Sequence, residues 1–227
     1  MIRKTLLVIL FIIGFSIFLF PHAGKIINDH AQREQAEAFR SIEYEDVNTD
    51  LIYDKAISCN HEIFTDTEGF RDPFNKHSEV SNKFKECFDL LDGDIFAVIE
   101  IPRLDLIIPV YLGATDEILS KGIGQVEGSS LPVGGVNTHT VLAGHRGMAS
   151  KTMFRHLDQL VPGDRFYIHT INETLVYEAY EQEVIYPHQT ESLEIVKGED
   201  LATLITCHPY RSTEQRLLIH AKRVNTG

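Results

Sequence analysis

Cysteine is scarce in this chain. Cys59, Cys87 and Cys207 are the only three in 227 residues, too few for a disulfide-stapled scaffold and an odd number that cannot pair completely. The favoured reading is two buried or inert thiols and one reactive one, with a Cys59–Cys87 bridge as the lesser alternative. CxxC and HExxH spacings are missing, which argues against a structural zinc site; no metal and no cofactor are expected. Positive charge is in deficit as well: 21 Lys and Arg against 33 Asp and Glu leave a formal charge of −12. A phosphate-binding surface needs the opposite surplus, so no nucleic acid is expected as a partner. Internal repeats and low-complexity tracts are absent, which leaves one globular domain with appendages, and the 43% hydrophobic content is enough for its core.

One long apolar run exists. Arg3 and Lys4 precede Thr5 to Phe20, interrupted only by Gly14 and Ser16, and at 1.5 Å per residue it spans roughly 24 Å as a helix. A cleaved signal peptide and an uncleaved anchor compete. The anchor is favoured because Phe20-Pro21-His22-Ala23 lacks paired small residues for cleavage. Residues 1–23 are therefore read as a membrane anchor or signal segment. Lys25 to Arg40 is rich in Gln, Glu and Ala, with little apolar face beyond Ile26, Ile27 and Phe39, and is expected to form a juxtamembrane helix. A second helix is expected from about Asp50 to Cys59, capped by Asn48 or Thr49 and burying Leu51, Ile52, Ala56 and Ile57. Ser78 opens a third, with Val80, Phe84, Cys87, Phe88 and Leu91 on its apolar stripe and Asp92-Gly93-Asp94 as its end.

Beyond that point helical periodicity gives way to short apolar runs. Strands are predicted near Ile95–Ile101, Leu106–Tyr111, Gly124–Glu127, Thr138–Ala143, Arg165–Thr170, Thr174–Ile185, Ala202–Thr206 and Arg216–Arg223, with Ile171-Asn172-Glu173 as a hairpin turn. Eight short strands at this spacing favour a barrel or sandwich.

Two of these runs end in reactive residue types. Thr203-Leu204-Ile205-Thr206-Cys207 is followed, after Pro209, by a run opening on Arg216, which brings a thiol and a guanidinium to one end of a sheet. A free thiol with a pKa near ~8.5 is mostly protonated at neutral pH and needs a base or a cation beside it. His145 is the best of eleven histidines: in Ala143-Gly144-His145-Arg146-Gly147, flanking glycines permit tight backbone geometry and leave room for a substrate. His139, His156, His188 and His208 have no comparable frame. His208 follows the cysteine directly and points to the opposite face of an extended segment, so it is a rim residue rather than the base. Arg211 and Arg223 are alternatives to Arg216, Arg211 lying in the less rigid loop. A cysteine ending a strand is usually a packed core residue, and an arginine opening one is usually a solvated edge charge; only the combination argues for chemistry.

TLITC with an arginine nine residues on, and AGHRG some sixty residues before it, resemble the signature of the sortases, cysteine transpeptidases of the Gram-positive cell surface. The likeness extends through Ile99-Glu100-Ile101-Pro102, the stretch from Glu127 to Gly135, and Leu157 to Asp164, covering about Asp94 to Val224. Asp72-Pro73-Phe74 is similar to the lid motif of the pilus-building class C enzymes. Taken alone, the loop from Thr65 to His77 would be a turn anchored by Phe70 and Phe74; the resemblance makes it a lid. Many relatives carry a small residue where this chain has His208, and class C members commonly carry a second membrane span after the catalytic domain, which is not found up to Gly227.

The resemblance implies a mainly β fold, an eight-stranded sortase-like barrel over residues 94–227, preceded by a helical region over 24–93 that contains the lid at about 65–77. It implies Cys207 as nucleophile on the Thr–Gly bond of an LPxTG-type signal, His145 as acid and base, Arg216 at the oxyanion, and Asp72, Pro73 and Phe74 as an inhibitory cover. The implied partners are pilin subunits and, through the N-terminal segment, the membrane, with the catalytic part outside the cell. A wall-anchoring sortase that uses a peptidoglycan-precursor amine and a non-catalytic surface assembly factor are the alternatives.

Overall fold

The computed structural model describes residues 2–41, 49–65, 70, 72–74 and 95–224. Eight strands close into a barrel: β1 (Ile95–Ile101), β2 (Leu106–Leu112), β3 (Ile123–Gln125), β4 (Thr138–Ala143), β5 (Arg165–His169), β6 (Thr174–Ile185), β7 (Asp200–His208) and β8 (Gln215–Arg223). The order around the barrel is β1-β2-β3-β4-β7-β8-β6-β5, and β5 pairs with β1 to close it. The expected strands are all present, with ends displaced by one or two residues. The β5–β6 hairpin turns where Ile171-Asn172-Glu173 predicted, tied by Thr170 N donating to Glu173 O at 2.9 Å.

Two pairs are parallel, β2 with β3 and β4 with β7. The first needs a crossover, supplied by the short helix α3 (Asp116–Lys121), which is not among the sequence-predicted elements. Thr115 caps it by accepting from Ile118 N at 3.3 Å, and Asp116 and Glu117 face its positive end. We number this helix after α1 (Ile2–Ser41) and α2 (Thr49–Thr65).

Alternation along the strands gives the barrel two apolar faces. Ala202, Leu204, Leu217, Ile219 and Ala221 point into the main core with Ile99, Phe166 and Tyr177. Val141, Ala143, Ile205 and Leu218 point outward from the wall into a second cluster with Leu119, Val126, Ile185 and Leu193. Both faces of β4, β7 and β8 are thus buried, which is why those strands read as near-continuous apolar runs. On the outer face a polar row crosses four strands: His139 Nε2 lies 2.7 Å from Thr203 Oγ1, which lies 2.9 Å from His220 Nδ1, whose Nε2 lies 3.0 Å from Glu183.

The N-terminal helices depart from expectation in instructive ways. The anchor and juxtamembrane segments form one continuous helix, α1. By length and composition its N-terminal part is long and apolar enough to cross a membrane. Its C-terminal part docks on the barrel through polar groups rather than Ile26 and Ile27, both exposed. Asp29 accepts from Thr152 N, Gln32 Nε2 donates to Lys121 O, and Arg40 pairs with Glu100, while Ala36 and Phe39 pack on Val98.

On α2 the predicted stripe is partly wrong: Leu51 and Ile57 are 51% and 39% exposed. The buried face is Ile52, Tyr53, Ala56, Cys59 and Asn60, whose spacing of three and four keeps them on one side of a 3.6-residue helix. Asn60 is held there by two bonds to the Leu131 backbone, at 2.7 and 3.2 Å. Cys59 is disulfide-bonded, which corrects its reading as an inert thiol; a low cysteine count limits how many bridges can form and does not forbid one. The helix expected from Ser78, with Val80, Phe84, Cys87, Phe88 and Leu91, lies outside the described residues.

Candidate active site

β7 and β8 form a hairpin whose register sets Cys207 opposite Arg216. Residues directly opposite share a face, here the outer face that carries Ile205 and Leu218. The nine-residue spacing in the sequence is the length of this hairpin end. On the other side of β7, parallel pairing with β4 aligns Ala143 with Ile205. Gly144 N then donates to Ile205 O at 3.1 Å and Thr206 Oγ1 donates to Gly144 O at 2.7 Å. His145 therefore leaves its strand beside the end of the cysteine strand.

Gly144 is required for a different reason from the one its sequence frame implied. A Cβ there would lie 2.6 Å from Ile123 Cδ1 and 2.7 Å from Phe154 Cδ2, so the space is filled by the protein's own core rather than kept for a substrate. Gly147 has a φ of +84°, which L side chains rarely adopt.

The Asp-Pro-Phe segment sits on this corner. Arg216 Nε and Nη2 donate to the two carboxylate oxygens of Asp72, each at 2.7 Å, with side-chain exposures of 4% and 8% for the pair. Arg216 Nη1 spends its hydrogens on Thr213 O and Gln215 O, both at 2.9 Å. The Phe74 ring lies 5.0 Å from the Arg216 guanidinium carbon and 6.2 Å from the His145 ring, and Phe70 and Phe74 pack against the outer apolar cluster. Asp72 and Phe74 thus contact Arg216, and Phe74 also lies against His145.

Electrostatics follow from this cover. Burial pushes the Cys207 thiol above its usual pKa; Arg216 and Arg146 pull it down and Asp72 pushes it up. Burial likewise lowers the pKa of His145, with Asp116 opposing. Both shifts favour the neutral form of the group, thiol and imidazole alike. Of the rival arginines, Arg223 lies seven residues along β8 from Arg216, paired with Glu173, and Arg211 stacks on Tyr210 in the β7–β8 loop. Neither lies opposite the cysteine.

The sortase-domain family model matches residues 99–224, more than half of the chain. The chain belongs to the sortase family. Sortases are cysteine transpeptidases, and the solved structures similar to this sortase include Streptococcus pneumoniae sortase C, at 34% identity and a TM-score of 0.74, covering 86% of this chain and 97% of that one. Sortase A from Corynebacterium diphtheriae is similar at 32% identity and a TM-score of 0.75, covering 88% and 94%. Sortase D of Bacillus subtilis is 27% identical over 152 residues, 66% of this chain and 74% of that protein.

Sequence reasoning overlooked Arg146, which is buried beside the cysteine strand, and passed over His139, which anchors the polar row. The sequence sets Arg146 next to the chosen histidine, in the same glycine frame, but carries no sign that its side chain is buried. Among the described residues no group of three or more His, Cys, Asp and Glu side chains could hold a metal.

Proposed function

We propose that this sortase is a pilin polymerase of the class C kind, whose substrate is an LPxTG-type sorting signal and whose acceptor is a lysine amine of a second pilin subunit. The observation that carries the reading is the buried, two-point Asp72–Arg216 pair with Phe74 lying against both Arg216 and His145. Such a cover suits an enzyme that must keep water from its acyl intermediate until an amine arrives. Likeness to Streptococcus pneumoniae sortase C, whose structure is discussed in terms of pilin substrate specificity, supports the same reading.

In the proposed mechanism the lid withdraws, Asp72 releases Arg216, and the thiol loses both a desolvating cover and a neighbouring negative charge. Its proton passes to His145. The thiolate attacks the Thr carbonyl carbon, and the oxyanion that forms is held by Arg216, a fixed donor of the kind that contributes roughly 2.7–4 kcal/mol. The carbon–nitrogen bond breaks as His145 protonates the glycine amine, leaving a thioester. The incoming lysine amine gives a proton to His145, attacks the thioester, and releases the cysteine as its carbon–sulfur bond breaks. The product is an isopeptide bond. Residues 1–23 would anchor the enzyme, with the barrel on the outer side of the membrane where pilins are displayed.

The test is to incubate the purified protein with a pilin subunit bearing its sorting signal, following Cys207 acylation by mass spectrometry and ladder formation on gels. Thioester at Cys207 and ladders with wild type, and neither with Cys207→Ala, are expected. Alanine at Cys59 acts on a disulfide on α2 and is expected to leave the chemistry in place. Activity retained by Cys207→Ala would sink the assignment, and acyl transfer to a peptidoglycan-type amine without ladders would point to wall anchoring instead.

A further inference from the structure

Arg146 is the second cation of the site, and nothing in the reaction above uses it. Its residue is only 8% exposed. Nη1 donates to His208 Nδ1 at 2.7 Å and to the Cys207 carbonyl oxygen at 3.4 Å, and Nη2 lies 3.2 Å from Asp158 Oδ2. Nε is buried without a hydrogen-bond partner among the described residues. Burying a guanidinium is costly unless its donors are used. Here one partner is a carboxylate that is half exposed to water, and the other two belong to the nucleophile and the residue after it.

The chemistry of the contact is directional. A guanidinium has only donors, so His208 Nδ1 must present its lone pair and carry its proton on Nε2. His208 is thereby drawn away from Cys207 and made the acceptor that holds Arg146. The same loop braces the segment a second time: Arg155 packs its side chain over Gly147 and its guanidinium over the Tyr210 ring at 4.7 Å. Two arginines following His145 therefore grip Cys207, His208 and Tyr210.

We propose that Arg146 is a positioning residue for the nucleophile, pinning the Cys207 carbonyl and the His208 ring to the loop that carries His145 and holding a permanent positive charge beside the thiol. Lid opening removes Asp72 from Arg216 but touches none of the partners of Arg146, so this charge stands whether the lid is open or shut. Burial raises the thiol pKa and the guanidinium opposes that rise, in accord with the geometry. The inference rests on the assignment of Cys207 as the nucleophile.

The experiment reads Cys207 alkylation by iodoacetamide against pH, by mass spectrometry, together with kcat and KM for a sorting peptide. Wild type, Arg146→Gln, Arg146→Lys and His208→Ala are compared, each in an Asp72→Ala background so that the lid does not limit access. Arg146→Gln is expected to raise the alkylation midpoint by about half a pH unit or more and to lower kcat about tenfold with KM within about twofold. Lysine should restore the midpoint, since it keeps the charge. It should restore only part of kcat, since an ammonium cannot hold His208 and Asp158 in one planar fork. His208→Ala should lower kcat a few-fold without raising the midpoint. Were Arg146→Gln to misfold, the lysine and His208 variants alone would decide: wild-type kcat in both overturns the positioning role. Equal midpoints and equal kcat for wild type and a folded Arg146→Gln overturn the proposal entirely. Because the midpoint is read on the thiol itself, it reports the charge of Arg146 even if Cys207→Ala shows that another residue is the nucleophile, so the two failures are separate.

Discussion

On the proposed mechanism Arg216 exchanges Asp72 for substrate in each productive encounter, because Asp72 takes a hydrogen bond from each of Nε and Nη2, the donors that would turn to an oxyanion. Nη1 is held by the Thr213 and Gln215 carbonyls, which would keep the side chain in place while the partner changes. On the proposed mechanism His145→Ala and Arg216→Ala are each expected to lower turnover of a sorting peptide by about a hundredfold or more, the usual scale for a lost acid–base or oxyanion group. His208→Ala should cost only a few-fold, because its ring faces Arg146 rather than the thiol. Steady-state rates on the three variants check this; equal losses at His145 and His208 would contradict it. The placement of Cys207, His145 and Arg216 at strand ends was legible in the sequence, since each ends or begins an apolar run beside turn residues. Arg146 was not, because a single arginine next to a histidine carries no sign of whether it is solvated or buried.

The proposed lid, in its described residues 70 and 72–74, meets the site through few contacts. Asp72 supplies two charge-assisted bonds, Phe74 a cation contact and a ring contact, and Phe70 an apolar foot in the outer cluster. If closure is the resting state, apparent activity scales with the fraction open, and weakening any one contact raises that fraction. Asp72→Ala and Phe74→Ala are expected to speed alkylation of Cys207 by a small thiol reagent and to increase hydrolysis of a sorting peptide. Asp72→Ala should act more strongly, since it also removes a negative charge that raises the thiol pKa. Alkylation at the wild-type rate in both variants, with the fold intact, would reduce the segment to an anchored turn. As an element, α1 was harder to read than the lid, because its docked part uses Asp29, Gln32 and Arg40, residues that look like a solvated face until a partner surface is supplied.

At the scale of the whole molecule, burial of histidine ties stability to pH. His139 is almost wholly inaccessible, with its Nδ1 on the Glu194 carbonyl and its Nε2 on Thr203, and burial lowers its pKa from 6.5 to about 4. Because the folded value is the lower one, the unfolded chain binds the proton more readily. Stability is therefore full above about pH 6.5, falls as pH drops, and is lost to the extent of about 3 kcal/mol once pH is below 4. His145 and His169 are displaced in the same direction. Thermal melts should show wild type losing roughly 6–12 °C more than His139→Gln between pH 7 and pH 4; parallel curves would rule His139 out as a source. The strands and the hairpin that sets Cys207 opposite Arg216 were determined by the sequence alone, because apolar runs bounded by turn residues and a nine-residue return are local properties. Which face of the barrel wall carries the site, which carboxylate neutralises Arg216, what holds His139 and Arg146, and how α1 lies on the barrel were decided only by the tertiary structure. These depend largely on polar side chains meeting across long stretches of chain, from the 55 residues between His139 and Glu194 to the 144 between Asp72 and Arg216, and polar residues at such distances leave no periodic trace.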